Sequence, residues 1–197
     1  MLLSGPAGGL VGANWLGRLA GDEQLLTFDM GGTSTDVSLI DGAPQLTNEG
    51  RIGRWPVAVS MVDMHTIGAG GGSIARVDEG GMLQVGPESA GADPGPVCYG
   101  RGGVEVTVSD ANLVLGRLRP DSFLGGRMRL DVDAAHAAMQ QLGDAMACSP
   151  VEAARGVIAV ANEHMAAALR MISVERGVDP KDYRLLSFGG AGGLHVC

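Results

Sequence analysis

The run Phe28-Asp29-Met30-Gly31-Gly32-Thr33-Ser34-Thr35-Asp36-Val37 constrains the fold of this chain more than any other stretch. Apolar residues flank it: Leu25, Leu26 and Phe28 before the turn, Val37, Leu39 and Ile40 after it. That pattern predicts a strand near 25–29, a tight polar turn and a returning strand near 36–41. Two carboxylates, Asp29 and Asp36, bracket Gly31, Gly32 and the hydroxyls of Thr33, Ser34 and Thr35. Such a turn directs backbone N–H groups and hydroxyls at one anion, and glycine lets the backbone come close. The carboxylates are then placed to hold a hydrated divalent cation beside a phosphate. In this reading Gly31, Gly32 and Thr33 hold phosphate oxygens, and Asp29 or Asp36 orients Mg2+ or a water. The turn is not a P-loop, since no Gly-Lys-Ser/Thr follows. The plainer alternative is a glycine hairpin with surface acids.

Glycine is the compositional outlier, at 33 of 197 residues, against an average near 7%. It clusters at 5–17, 31–32, 68–72, 91–103 and 189–193, inside apolar sequence rather than in a linker. Clusters of this kind between strands imply close backbone approach to a ligand or between elements. With 45% hydrophobic residues the chain has enough apolar surface for a real core. A net charge of −8 with few aromatics argues against nucleic-acid binding. No apolar run approaches the ~20 residues that span a bilayer, and no signal peptide is visible. Neither a membrane nor a nucleic acid is therefore expected as a partner. Cys98, Cys148 and Cys197 are widely spaced, which fits reduced thiols and a cytoplasmic setting.

Residues 6–20 read as a Gly/Ala-rich helix with Pro6 in its first turn. Gly8, Gly9 and Gly12 weaken it, which implies tight packing. After the turn at Asp41-Gly42, strands are expected near 44–49 and from Trp55 to Asp63. Ile74–Asp78 and Met82–Val85 read as a hairpin around Glu79-Gly80-Gly81. A Gly/Pro loop covers 87–103, and alternation of Val104, Val106 and Val108 predicts a strand. Ser109-Asp110 reads as the cap of a short helix ending near Gly116, and Asp131 or Asp133 opens a helix to about 147. The best-marked helix is 150–176. Its capping box is Ser149 with Glu152, its apolar positions step by three and four, and Gly177 with Asp179-Pro180 ends it. Tyr183–Phe188 is a strand that runs into Gly189. The class is α/β or α+β, with mixed strands and flanking helices.

Three further stretches carry candidate chemistry. Gly189, Gly190, Ala191 and Gly192 follow a strand, as in turns whose next helix faces a ligand with its free N–H groups. His195 follows directly, whereas His136 and His164 lie on helices as packing or surface residues. Asp63 and His65, two apart on a predicted strand, share a face. They read either as a metal or acid–base pair or as a polar pair at a strand end. Asp93, Cys98, Tyr99 and Arg101 sit on a loop stiffened by proline, with Cys98 read as structural rather than nucleophilic.

These motifs carry a resemblance. Asp29 to Val37 resembles the second phosphate motif of the actin, sugar-kinase and heat-shock-chaperone ATPases, and Phe188 to His195 resembles their adenosine motif. Ser4 to Gly9 resembles the connecting helix before the phosphate hairpin. More specifically, Asp63 to Ser73, Gly91 to Pro96 with Cys98 to Gly103, and Asp110 to Gly116 resemble the hydantoinase A, 5-oxoprolinase and acetone carboxylase subunit family, over essentially the whole chain. The resemblance implies a ribonuclease-H-like lobe of the actin-like ATPase fold with inserted Gly/Pro-rich loops. It implies ATP and Mg2+ as cofactors. Asp29, Asp36, Asp63 and His65 would be catalytic, with Asp29 and Asp36 at the metal. Gly31, Gly32, Thr33, Ser34, Thr35, Gly189, Gly190, Ala191 and Gly192 would bind the nucleotide. The implied chemistry is phosphorylation of a small cyclic amide before hydrolysis, or activation of a ketone or bicarbonate in carboxylase members. The implied partners are an N-terminal lobe and a B-type subunit or domain. The resemblance implies another phosphate motif of the Asp-x-Gly-Gly-Thr type near the N-terminus of the full protein; that other motif is absent here, so residues 1–197 are expected to form one domain, the second ATPase lobe, incomplete at both ends.

Overall fold

The computed structural model describes residues 4–47, 50–52, 55–57 and 61–196. Helix α1 (Ser4–Ala20) leads into strands β1 (Gln24–Met30) and β2 (Thr35–Asp41). Short strands follow: β3 (Ala43–Pro44), β4 (Leu46–Thr47), β5 (Gly50–Ile52), β6 (Trp55–Val57), β7 (Met61–Val62) and β8 (His65–Ile67). The hairpin β9 (Ser73–Val77) and β10 (Leu83–Ser89) precedes helices α2 (Val108–Val114), α3 (Val132–Ala145) and α4 (Pro150–Ile172). Strand β11 (Arg184–Phe188) ends in a 3-10 turn at Gly192–Leu194.

The main sheet is mixed. β11 lies parallel to β1, β1 antiparallel to β2, and β3 and β8 both pair antiparallel with β2 at its two ends. Alternation along the strands sends side chains to two faces. Leu26, Phe28, Met30, Val37 and Leu39 face a large core with the buried stripe of α4, including Val157, Ile158, Ala161 and Met165. Leu25 and Ile40 face the other way, onto Leu10 and Ala13 of α1, with Leu186 and Phe188 alongside. The sheet is therefore covered by α1 on one face and α4 on the other. A third cluster under the proline loop joins Cys98, Leu113, Leu130 and Ala135, with Tyr99 tilted against Phe123 at 5.4 Å between ring centres.

α4 forms as its sequence dictates. Ser149 accepts from Glu152 N–H, and Glu152 Oε2 accepts from Ser149 N–H at 2.9 Å. The continuous helix stops at Ile172, and residues 174–176 form a separate 3-10 turn before Gly177 at φ +77°. Including that turn, it is the one helix among the described residues long and apolar enough to cross a membrane. Its apolar stripe is instead built into the core.

The strand expected at 104–108 does not form. Thr107 caps α2, accepting from Asp110 N–H while Asp110 accepts from Thr107 N–H, and this capping box outweighs valine alternation. Only a single bridge, Ile74 to Thr107, survives there. The cap is thus Thr107, not Ser109. The strand expected over 55–63 is described as two short pieces, and residues 48–49 and 58–60 lie outside the described residues. On α1, Gly9 is packed, its missing Cβ falling 2.7 Å from the Phe188 ring, whereas Gly8 and Gly12 face open space.

Candidate functional site

The β1–β2 register decides how the two acids meet. Asp29 and Asp36 are cross-strand partners. They stand on the strands rather than in the turn, and on the face covered by α1. Phe188 is the partner of Asp29 on β11, and Thr66 is the partner of Asp36 on β8. Phe188, Asp29, Asp36 and Thr66 therefore form one row across four strands, with side chains on one face. Pro6 and Leu10 of α1 close over this row beside Asp29 and Asp36. The Asp29 carboxyl is held above its ordinary range, first by burial and then by the facing Asp36 charge. The Asp36 Oδ1 accepts from the Thr66 hydroxyl.

Above the row sits the turn. Gly31 N–H bonds Ser34 O at 3.0 Å, which closes it. Gly32 and Thr33 are exposed, and their amides have no acceptor among the described residues. A second glycine loop braces the turn from behind: Gly71 and Gly72 N–H groups bond the carbonyls of Gly31 and Gly32 at 3.0 and 2.6 Å. Gly70 shows why that loop is glycine, since a Cβ there would lie 2.7 Å from Gly32 C and Thr33 N. Thr35 differs from its neighbours. It is fully buried, and its hydroxyl donates to Ala69 O at 2.6 Å, tying the same two loops together.

The third glycine turn arrives from β11. Ala191 N–H bonds Met30 O at 2.9 Å, which seats residues 189–192 against the end of β1. Gly189 has φ +83°, and a Cβ there would collide with Asp29 Oδ1 and Met30 O. Gly189, beside Asp29, and Gly190 are exposed, while Ala191 and Gly192 are buried. The structure thus brings together Asp29, Asp36, Gly31, Gly32, Thr33, Ser34, Gly189 and Gly190, and turns Thr35, Ala191 and Gly192 inward.

Asp63 and His65 make different contacts. Asp63 precedes β8 and pairs with both guanidinium nitrogens of Arg176, across 113 positions of sequence. His65 is the partner of Val37, so it faces the α4 side. There it lines a cleft of about 400 Å³ with Ile67, Gln84, Pro87 and His164. No group of three or more His, Cys, Asp or Glu side chains gathers as a metal centre among the described residues. A pair of carboxylates nevertheless suits Mg2+, which keeps several waters and takes one or two carboxylates plus phosphate oxygens. The unengaged amides and hydroxyls of the turn suit those phosphate oxygens. A polar groove of about 810 Å³ at the far end of the sheet, between Gly21–Gln24, Asp41 and 181–184, contains the Asp22–Arg184 ion pair and none of these groups.

Sequence reasoning missed two sets of partners. Thr66 reaches Asp36 only through the β2–β8 register. His195 is wedged between Asn112 Nδ2 at 3.2 Å and Asn162 Oδ1 at 2.8 Å. Burial, with help from Arg117, lowers its pKa to about 4. The imidazole is then neutral, with Nδ1–H donating to Asn162 and Nε2 accepting from Asn112. Cys98 is fully buried, and burial followed by the nearby Asp110 charge pushes its thiol far up, which fits an inert structural thiol.

The sequence model of the family described as hydantoinase/oxoprolinase matches residues 1–197. The caprolactamase subunit alpha of Pseudomonas jessenii is 46% identical over 195 residues, covering 98% of this chain and 28% of that protein. The crystal structure of the ATP-dependent caprolactamase from the same organism superposes with a TM-score of 0.89 at 44% identity, over 98% of this chain and 28% of the other. 5-oxoprolinase 1 of Arabidopsis thaliana is 42% identical over 214 residues, covering 100% of this chain and 17% of that protein. A nucleotide-free structure of acetone carboxylase, described under ATP-dependent acetone carboxylation, superposes with a TM-score of 0.92 at 37% identity, over 99% of this chain and 28% of the other. The chain thus spans less than a third of the length of these relatives.

Proposed function

The chain belongs to the hydantoinase/oxoprolinase family, and from that premise we propose that it forms the phosphate- and adenosine-binding lobe of an ATP-dependent cyclic-amide hydrolase. The observation that carries the reading is the cross-strand pair Asp29–Asp36 beneath a turn whose amides at Gly32 and Thr33 are unengaged. Like charges directly opposed on a sheet are unfavourable; a bound divalent cation relieves that repulsion, and the adjoining amides complement phosphate oxygens. Asp29 and Asp36 would hold Mg2+ through its waters. Gly31 to Ser34 would cradle phosphates, and Gly189 and Gly190 would lie along the nucleotide. The antiparallel β1–β2–β8 set with β11 parallel to β1 fits a ribonuclease-H-like lobe of the actin-like fold. An opposing lobe and a B-type subunit would complete the cleft, in the cytoplasm, where widely spaced thiols stay reduced.

The chemistry follows from amide resonance. The lactam oxygen attacks the γ-phosphorus of ATP, an O–P bond forms, the β–γ bridge bond breaks and ADP departs. One water would then add to the activated carbonyl carbon and the C–N bond would open to leave an acyl phosphate, which a second water would hydrolyse to the carboxylate and free phosphate. Asp63, tied to Arg176, and His65, on the opposite face, are placed to shape the fold around this site rather than to touch the phosphates.

A carboxylase reading also has support, in the acetone carboxylase superposition. One experiment separates the two. ATP turnover by the complete polypeptide containing this chain, with its partner subunit, is measured with 5-oxoproline, hydantoin and caprolactam, and separately with acetone plus bicarbonate. Stimulation by a lactam supports the hydrolase. Stimulation only by ketone and bicarbonate assigns the carboxylase, and no stimulation by either sinks both.

A further inference from the structure

The acid row contains one member that the reading above leaves without a task. Thr66 stands opposite Asp36 on β8, one strand further from Asp29, and its hydroxyl donates to Asp36 Oδ1. Threonine is stiff at χ1, so this donor is fixed by the strand rather than free to wander. A hydroxyl has one proton to give, and here it is given to the carboxylate. Without it, the Asp36 side chain is free to rotate away from the like charge of Asp29, which faces it on the neighbouring strand. With it, one oxygen of Asp36 is anchored on the β8 side.

We propose that Thr66 is a positioning residue for the cation site: it anchors the Asp36 carboxylate so that Asp29 and Asp36 are presented together to a divalent cation. This rests on the reading of the pair as a cation and phosphate site. Thr66 does not touch the cation or the nucleotide. It acts through Asp36.

The test uses Mn2+ as the probe, read by electron paramagnetic resonance, on the complete polypeptide carrying Thr66→Val, Thr66→Ser, Asp36→Asn or no change. Loss of a hydrogen bond to a charged group predicts that Thr66→Val weakens Mn2+ binding by roughly threefold or more. Thr66→Ser restores it, and the thermal midpoint of Thr66→Val stays at the parent value. Parent-like Mn2+ affinity in Thr66→Val, alongside loss in Asp36→Asn, overturns the proposal and leaves the cation site standing. A lowered thermal midpoint without rescue by serine also overturns it, by making Thr66 structural. Parent-like affinity in Asp36→Asn removes the cation site itself, and the proposal with it.

Discussion

Two carboxylate sites in this molecule are built on opposite terms. Asp110 is fully buried and accepts four hydrogen bonds: from Val97 and Cys98 N–H at 3.3 and 2.7 Å, and from Thr107 N–H and Oγ1 at 2.9 and 2.8 Å. It nails the 97–99 turn to the first turn of α2. Asp29 and Asp36 are only part-buried and face each other, and among the described residues the pair has one side-chain donor, Thr66, which serves Asp36 alone. Buried charges persist when their hydrogen bonds are complete. The first site is architecture; under the proposed function the second is where a cation would complete the electrostatics.

That contrast breaks if the two sites respond alike to mutation. Asp110→Ala should be the most damaging change. It orphans several buried donors at once, so a loss of about 3 kcal/mol or more is expected, read as a fall in the urea midpoint. Asp36→Asn should leave that midpoint within about 1 kcal/mol of the parent, and is expected instead to abolish Mn2+ binding. Equal destabilisation by the two would make Asp36 structural. Gly189→Ala lies between these extremes. Its φ of +83° and the approach of Asp29 and Met30 predict a loss of roughly 1–3 kcal/mol, measured by thermal melting, together with weaker nucleotide binding.

Smaller effects sharpen the comparison. The fold raises the Asp29 pKa, so the stability linked to this group is present at low pH. It is lost as pH rises from the ordinary aspartate value to the folded one. Asp36→Asn removes the second cause of that shift, and carboxyl NMR should show Asp29 titrating at lower pH than in the parent. For His195 the sign is reversed. Its folded pKa lies below the ordinary 6.5, so its contribution falls away as pH drops from there to about 4. Imidazole NMR should find it neutral at pH 6. An imidazolium at that pH would contradict the Asn112–His195–Asn162 arrangement.

Much of this was legible in residues close in sequence. The 31–34 turn with its flanking strands, the Ser149–Glu152 box and the hairpin at 79–81 depend on neighbours within a few positions, and local physics set them. The failures have the same logic in reverse. At 104–108 two local signals competed, and the capping box of Thr107 with Asp110 won because Asp110 also satisfies the distant Val97 and Cys98 amides. Asp63 and His65 looked like partners by spacing. The strand began only at His65, and Arg176 claimed Asp63 from beyond α4.

The sequence by itself determined the strand–turn–strand with its two acids, the long capped helix and the need for close backbone packing, because turn chemistry, helix periodicity and the absence of a Cβ are local properties. Only the tertiary structure decided that Asp29 faces Asp36, that Thr66 anchors the second and that Gly70 and Gly189 press against the first turn. Those facts depend on strand register and on loops 34 or more positions apart in sequence, and register follows from which faces the α1 and α4 helices bury.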